Sequence, residues 1–409
     1  MIFEYKRISE KIIWCLTVVL ISSFYILDLS KWGSIILVII TISIFSISTI
    51  ANNGITKFSI KQFHLFILLF ALFCIFSSLW AIYPKDSFQK GITIIKILIC
   101  MTILEMYYSK FNSIKNIINA VMWAGFVVVL YAIMYYGLDR IKFTLASGSR
   151  LESSFANINL IAIGASISIL IMVYNIFFIE KKRIYLVVFA IPSIIMVAAS
   201  GSRKALMLSI LGVVMIVLFR YTTRSFFITL FRWILLSSIL LIVLVSILSL
   251  PIFSNVNERM NGLISLITNT GVVDHSAWIR EQYINFGIIQ FTKTPFIGLG
   301  IGNSHFITIQ VEGLATYLHN NYVELLSCGG IIGFTIYYYI YVYLFYSIFK
   351  LRKYKSDYTL LCIILMIILL IMDYGMVTYY SKITYFYFLI FFMEVQLLKK
   401  RKIQFNKQV

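Results

Sequence analysis

The sequence predicts an all-α polytopic membrane protein of about 12 transmembrane helices with one long extracytoplasmic loop. Three observations carry this reading. Of 409 residues, 61% are hydrophobic and 12% charged, and the mean hydropathy is +0.93. A soluble domain is about a quarter charged, so this much apolar surface needs lipid as its solvent. Apolar runs close to the ~20 residues that cross a bilayer recur along the chain. Basic residues concentrate in alternate connectors between those runs, as the positive-inside rule requires of cytoplasmic loops.

The runs fall at about 12–29, 33–51, 63–82, 89–107, 117–137, 158–179, 184–199, 205–219, 233–250, 329–349, 358–376 and 383–398. The first ends at Asp28 without a small-residue cleavage site and reads as a retained span. The runs at 184–199 and 205–219 are the shortest. Pro192 lies inside one of them and is expected to kink it, because it removes a backbone donor.

Orientation follows from charge. Lys6, Arg7, Lys11, Lys57, Lys61, Lys110, Lys115, Lys181, Lys182, Arg183, Arg220, Arg224 and Arg232 fall on one side. Lys350, Arg352, Lys353, Lys355, Lys399, Lys400, Arg401, Lys402 and Lys407 join them, making 22 of the 35 basic residues. The other side holds 12, and Lys96 sits within a span. Both termini are therefore expected in the cytoplasm. The chain divides into 1–250 (spans 1–9 with short loops), 251–328 (the long extracytoplasmic loop) and 329–409 (spans 10–12 and a basic tail). A net charge of +19 would suit nucleic acid, but the connectors account for it, and nucleic-acid binding is set aside. Cys15, Cys74, Cys100, Cys328 and Cys362 form no C-x-x-C pair and read as small buried hydrophobes.

This topology puts Arg150, Arg203, Arg280 and His319 on the extracytoplasmic side. Arg203, in AASGSRKALML, sits at a junction of two apolar runs. A guanidinium at that depth either snorkels to the head groups or clamps an anion, for which its planar fork is suited. Arg150, in ASGSRLESSFANINL, reads equally well as an ordinary interfacial arginine. Residues 276–292 have helical spacing, so Trp278, Tyr283 and Phe286 can lie on the membrane while Arg280 points elsewhere. An ion pair of Arg280 with Glu281 or Asp274 is the plainer alternative. GLGIGN (298–303) reads as a tight turn; as a phosphate loop it lacks the strand-to-helix context. His319 stands at the entrance to a span with amide neighbours and Glu324 about a turn further on. A neutral imidazole there can accept a proton from a sugar hydroxyl. No D-x-D, H-E-x-x-H or Cys/His cluster occurs in the outer loops, so neither a carboxylate-bound metal nor any other cofactor is expected, and arginines would have to neutralise phosphate.

Three stretches carry a family resemblance: SGSRKALML with Arg203, the segment from Arg280 through Pro295 to GLGIGN, and HNNYVELLSCGGIIGF from His319 to Gly333. In this order and spacing they resemble the O-antigen ligase and O-antigen polymerase family of membrane enzymes, over roughly residues 145–345. SSLWAIYPKDSF is also similar to stretches in such proteins. The resemblance implies metal-independent transfer of a glycan from an undecaprenyl diphosphate carrier at the outer face of the cytoplasmic membrane. It assigns His319 as general base and Arg203 and Arg280, with Arg150 more loosely, to the diphosphate. Asn320 and Glu324 would orient the imidazole or bind sugar, Asn320 being as readily a helix cap.

The expected function is polymerisation of lipid-linked repeat units into O-antigen or capsular polysaccharide. Ligation of finished glycan to lipid A core or another acceptor is the nearest alternative. A flippase for the same lipid-linked units is the alternative of another class, with intramembrane Lys96 as its candidate charge. Expected partners are the lipid-linked donor and acceptor, the bilayer and a chain-length regulator.

Overall fold

The computed structural model describes residues 2–28, 32–51, 58–111, 113–147, 149–151, 156–179, 184–222, 225–248, 257–258, 261–262, 265, 268 and 275–407. Lys31, Lys57, Lys181, Lys182, Arg183, Arg224, Glu152, Pro251, Arg259 and Asp274 lie outside the described residues. The structure is 83% helical, with no strands among the described residues. In chain order the helices are α1 (Ile2–Ile26), α2 (Trp32–Ala51), α3 (Gln62–Phe76), α4 (Pro84–Tyr108), α5 (Lys115–Tyr136), α6 (Leu138–Ser147), α7 (Ile158–Tyr174) and α8 (Leu186–Ala199). Then come α9 (Arg203–Arg220), α10 (Phe226–Leu248), α11 (His275–Lys293), α12 (His305–Glu312), α13 (Asn321–Lys350), α14 (Thr359–Asp373) and α15 (Lys382–Asn406).

Each of the twelve apolar runs lies on a helix, because in lipid only intrahelical bonding satisfies every backbone group. Among the described residues seven helical segments are long and apolar enough to cross a membrane, and Leu186–Ala199, Phe227–Ile239 and Thr359–Asp373 are shorter apolar helices. The helix around Pro192 runs on from Leu186 to Ala199. Three helices do not correspond to apolar runs: α11, and the short α6 and α12.

The chain forms two compact units. One comprises residues 1–9, 41–114 and 273–409; the other comprises 10–40 and 115–272. In the second unit α7 is central and packs against α5, α8 and α9. Its small residues permit this: a Cβ on Gly125 of α5 would lie 2.3 Å from the Gly164 carbonyl oxygen of α7. Close backbone approach at small residues is the usual packing device of membrane helices. Ser168 donates to the Met122 carbonyl (2.7 Å) and Ser166 to the Ala205 carbonyl (2.8 Å), adding polar ties across the same contacts.

In the first unit α3 packs on α4, and α13 packs on α3, α11 and α15. Aromatic side chains fill its interior: Phe63, Phe70, Tyr337, Tyr379, Tyr385 and Phe388 are fully buried. Lys61 pairs with buried Glu105 and donates to Gln396 (3.1 Å), while His64 Nδ1 accepts from the Lys61 amide at the start of α3. Four cysteines are buried as expected; Cys15 is exposed on α1, which corrects the reading of all five as buried. Lys96 is exposed on α4.

The span expected at 329–349 begins earlier, at Asn321, and is broken at Gly330 (φ 60, ψ −169). A break at membrane depth leaves backbone groups without partners. The turn after α11 supplies them. Leu299 and Gly300 amides donate to the Ser327 and Cys328 carbonyls (3.0 and 2.8 Å), and the Ile331 and Ile332 amides donate to the Pro295 and Phe296 carbonyls (2.8 and 3.2 Å). Gly330 is required here, since a Cβ would meet the Phe296 carbonyl oxygen at 2.2 Å.

Candidate active site

In the second unit the candidate residues are Arg150 and Arg203. Ser202 caps α9 with its side chain, accepting from the Ala205 amide, so Arg203 stands at the first helical position. There it adds its positive charge to the orphan amides of a helix N-terminus, a place suited to anions. Arg203 is buried, at 9% exposure, so its guanidinium is not simply displayed to solvent. The preceding turn passes through Gly201 in the left-handed region (φ 59). Arg150 grips that turn: Nε donates to the Ser200 carbonyl (3.2 Å) and Nη2 to Asn159 Oδ1 (3.1 Å). The Leu151 amide donates to the Ala199 carbonyl (3.2 Å) beside it. The structure thus brings Arg150 to the Ser200–Arg203 turn, although 50 residues separate Arg150 from Ser200.

In the first unit the candidates are Arg280, His319, Asn320 and Glu324. Among the described residues His319 is the one non-glycine with positive φ (57°). That conformation costs an L-residue about 1–2 kcal/mol and survives only where its surroundings fix it. Three contacts do so. The Glu324 carboxylate accepts from the Leu318 amide (2.8 Å), and the Asn320 side chain caps α13 by accepting from the Val323 amide (3.1 Å). Asn321 is buried, and its Oδ1 accepts from the Thr378 and Tyr379 amides (2.9 and 3.1 Å). Asn321 Nδ2 donates to Asp373 (3.2 Å), which also accepts from Tyr338 (2.9 Å) and Thr378 (2.5 Å). Asn320 therefore acts as a cap, and Glu324, at 1% exposure, braces the turn that carries His319.

The imidazole lies against aromatic rings. Tyr317 is 4.2 Å away between centroids, and Tyr283 is 6.4 Å away with its ring parallel within 4°. Tyr283 donates to Glu312 (2.7 Å), and burial together with this carboxylate pushes its phenol up to about 12. Arg280 is three residues before Tyr283 on α11, so the two share a helix face. The structure thus puts Tyr283 beside His319, and Arg280 one turn away from Tyr283 along α11.

The GLGIGN turn does not offer its amides to an anion. Gly298 donates to Thr294 (3.1 Å), Leu299 and Gly300 donate into the α13 break, and Ile301 donates to Ser77 Oγ (3.1 Å). Its positive-φ glycines let it sit against the backbone of α13 and Ala81. The alternative of a phosphate cradle is set aside for these four amides.

Three residues near the site were not singled out by sequence. Tyr283 was read only as a membrane-facing aromatic. Lys90 lies with its ammonium 3.3 Å from the Tyr380 ring centroid, and its charge acts on buried Glu324. Asp373 anchors Asn321. No sequence pattern marks the last two, because their partners are more than 50 residues away. Among the described residues no group of three or more His, Cys, Asp or Glu side chains converges.

Residues 187–338 match the family model described as O-antigen ligase. The match covers less than half of the chain. The matched stretch contains Arg203, Arg280, His319, Asn320, Glu324 and the broken start of α13; Arg150, Lys90 and Asp373 lie outside it. No curated protein matches the chain.

Proposed function

We propose that the protein is a polymerase that joins undecaprenyl-diphosphate-linked repeat units into O-antigen or capsular polysaccharide. The reaction takes place at the outer face of the cytoplasmic membrane. The observation that supports the reading is the conformation of His319, held in a left-handed turn by Glu324, Asn320 and Asn321 and stacked beside Tyr283. An imidazole so fixed suits a general base, which works by position first and basicity second.

In this reading the acceptor sugar hydroxyl gives its proton to His319 as its oxygen attacks the anomeric carbon of the donor. The bond from that carbon to the diphosphate oxygen breaks, and the diphosphate leaves on its lipid carrier. Direct displacement inverts the anomeric centre. Arg203 and Arg280 bind the diphosphate and stabilise the charge that grows on it. Arg150 acts on Arg203 through the Ser200 turn. Glu324 and Asn320 position the base.

A ligase that delivers the glycan to lipid A core or another acceptor is the second reading, favoured by the description of the matching family. Loss of the gene separates the two. A polymerase-deficient strain carries single repeat units on its acceptor; a ligase-deficient strain accumulates long chains on the lipid carrier. Stranded long chains would overturn the polymerase reading.

A further inference from the structure

At the opposite end of α13 from His319, the chain segment after Lys350 meets the last turns of α15 in a groove of about 680 Å³. Pockets for small ligands occupy about 300–1,000 Å³, so the groove is large enough for a polar head group. Lys353 and Lys355 line it from one segment, Arg401 and Lys407 from the other. No acidic side chain is among its lining residues. Arg401 Nη1 donates to the Lys355 carbonyl (2.8 Å), which ties the two segments together. Tyr354 and Phe405 form an edge-to-face pair in the groove, with centroids 5.8 Å apart. The nearby acids are Asp357 and Glu394; Glu394 is buried and accepts from Ser356 and Thr359 (2.7 and 2.5 Å), so it faces away from the groove into the packing.

Basic residues at helix ends orient a membrane protein whether or not they bind anything. Two features go beyond that. Four cations from two separate segments converge on one cavity. Apolar side chains are also in the open at this end: Phe405, which lines the groove, is 55% exposed and Phe349 is 67% exposed. The apolar run of α15 stops at Leu398 and gives way to Lys399–Lys402, which puts the groove at head-group depth. Cations beside exposed apolar surface at that depth match an amphiphile with an anionic head.

We propose that this groove binds an anionic phospholipid. Lys353, Lys355, Arg401 and Lys407 take the phosphate, and Phe405 packs against the lipid's apolar part. The site is independent of the glycan chemistry.

Native mass spectrometry of the detergent-purified full chain tests it, titrating phosphatidylglycerol against phosphatidylcholine of the same acyl chains. The wild type should retain phosphatidylglycerol at lipid concentrations at least about tenfold lower, given roughly fivefold per basic residue near a membrane surface. Lys353→Gln, Lys355→Gln and Lys407→Gln together should erase that preference while leaving the Arg401 tie intact. Arg7→Gln, Lys11→Gln and Lys115→Gln together remove equal charge outside the groove and should keep it. Phe405→Ser, charge intact, should also weaken retention, and inorganic phosphate should not displace the lipid. Equal loss in both charge variants, displacement by phosphate, retention unaffected by Phe405→Ser, or no preference in the wild type would each overturn the proposal. Thermal melting of every variant separates lost binding from lost fold.

Discussion

Arg150 and Arg203 can be separated by a double-mutant cycle. Arg150 donates to the Ser200 carbonyl at 3.2 Å and to Asn159 at 3.1 Å, and Ser200 begins the turn that delivers Arg203. Hydrogen bonds from a charged group contribute about 1.5–3 kcal/mol each. Loss of the Ser200 bond therefore corresponds to roughly 10- to 100-fold in donor affinity, if the turn relaxes and carries Arg203 with it. The assay is titration of purified protein with lipid-linked donor for wild type, Arg150→Gln, Arg203→Gln and the double variant. Each single variant should weaken donor use. In the Arg203→Gln background the further change at Arg150 should have almost no effect, because nothing remains for the turn to position. Multiplying losses would refute this and make Arg150 an independent diphosphate ligand.

Other outcomes follow from the turn and the helix break. His319→Gly should abolish glycan transfer yet leave the melting temperature equal or higher, because glycine relieves about 1–2 kcal/mol of left-handed strain; a marked fall in melting temperature would contradict it. Glu324→Ala orphans the buried Leu318 amide and should cost about 1–3 kcal/mol with loss of turnover, whereas Glu324→Gln, which keeps an acceptor, should recover much of both in melting and activity assays. Gly330→Ala and Gly313→Ala make a matched pair. Both sit at positive φ, but a Cβ at Gly313 meets nothing within 4 Å while one at Gly330 meets the Phe296 backbone at 2.2 Å. Gly313→Ala should cost about 1–2 kcal/mol in thermal melting, and Gly330→Ala should prevent recovery of folded protein.

The helices were legible in the sequence because each apolar run must form one in lipid, and the structure puts a helix on all twelve. The start of α13 was not, because hydropathy does not register Asn321–Cys328, a capped and partly polar stretch that extends the helix eight residues before the apolar run. The break at Gly330 was hidden for a related reason: two glycines within an apolar stretch are common in membrane helices, and only the pairing with residues 295–300 reveals the break. His319 was legible from its place at a span entrance, but its left-handed backbone was not. The cap that Asn320 makes to Val323 was legible as a helix start, but the role of Glu324 depends on a contact with the Leu318 amide that no spacing rule predicts. Arg150 shows the same limit, since its partner Ser200 is distant in the chain and near only in the fold.

The central claim is that His319 takes the proton from an attacking sugar hydroxyl. It is tested most directly by single-turnover glycan transfer with purified protein and lipid-linked repeat units, comparing wild type with His319→Ala in the same detergent. The account predicts that His319→Ala binds donor with unchanged affinity and forms no new glycosidic bond above background. Transfer by His319→Ala at the wild-type rate would contradict it.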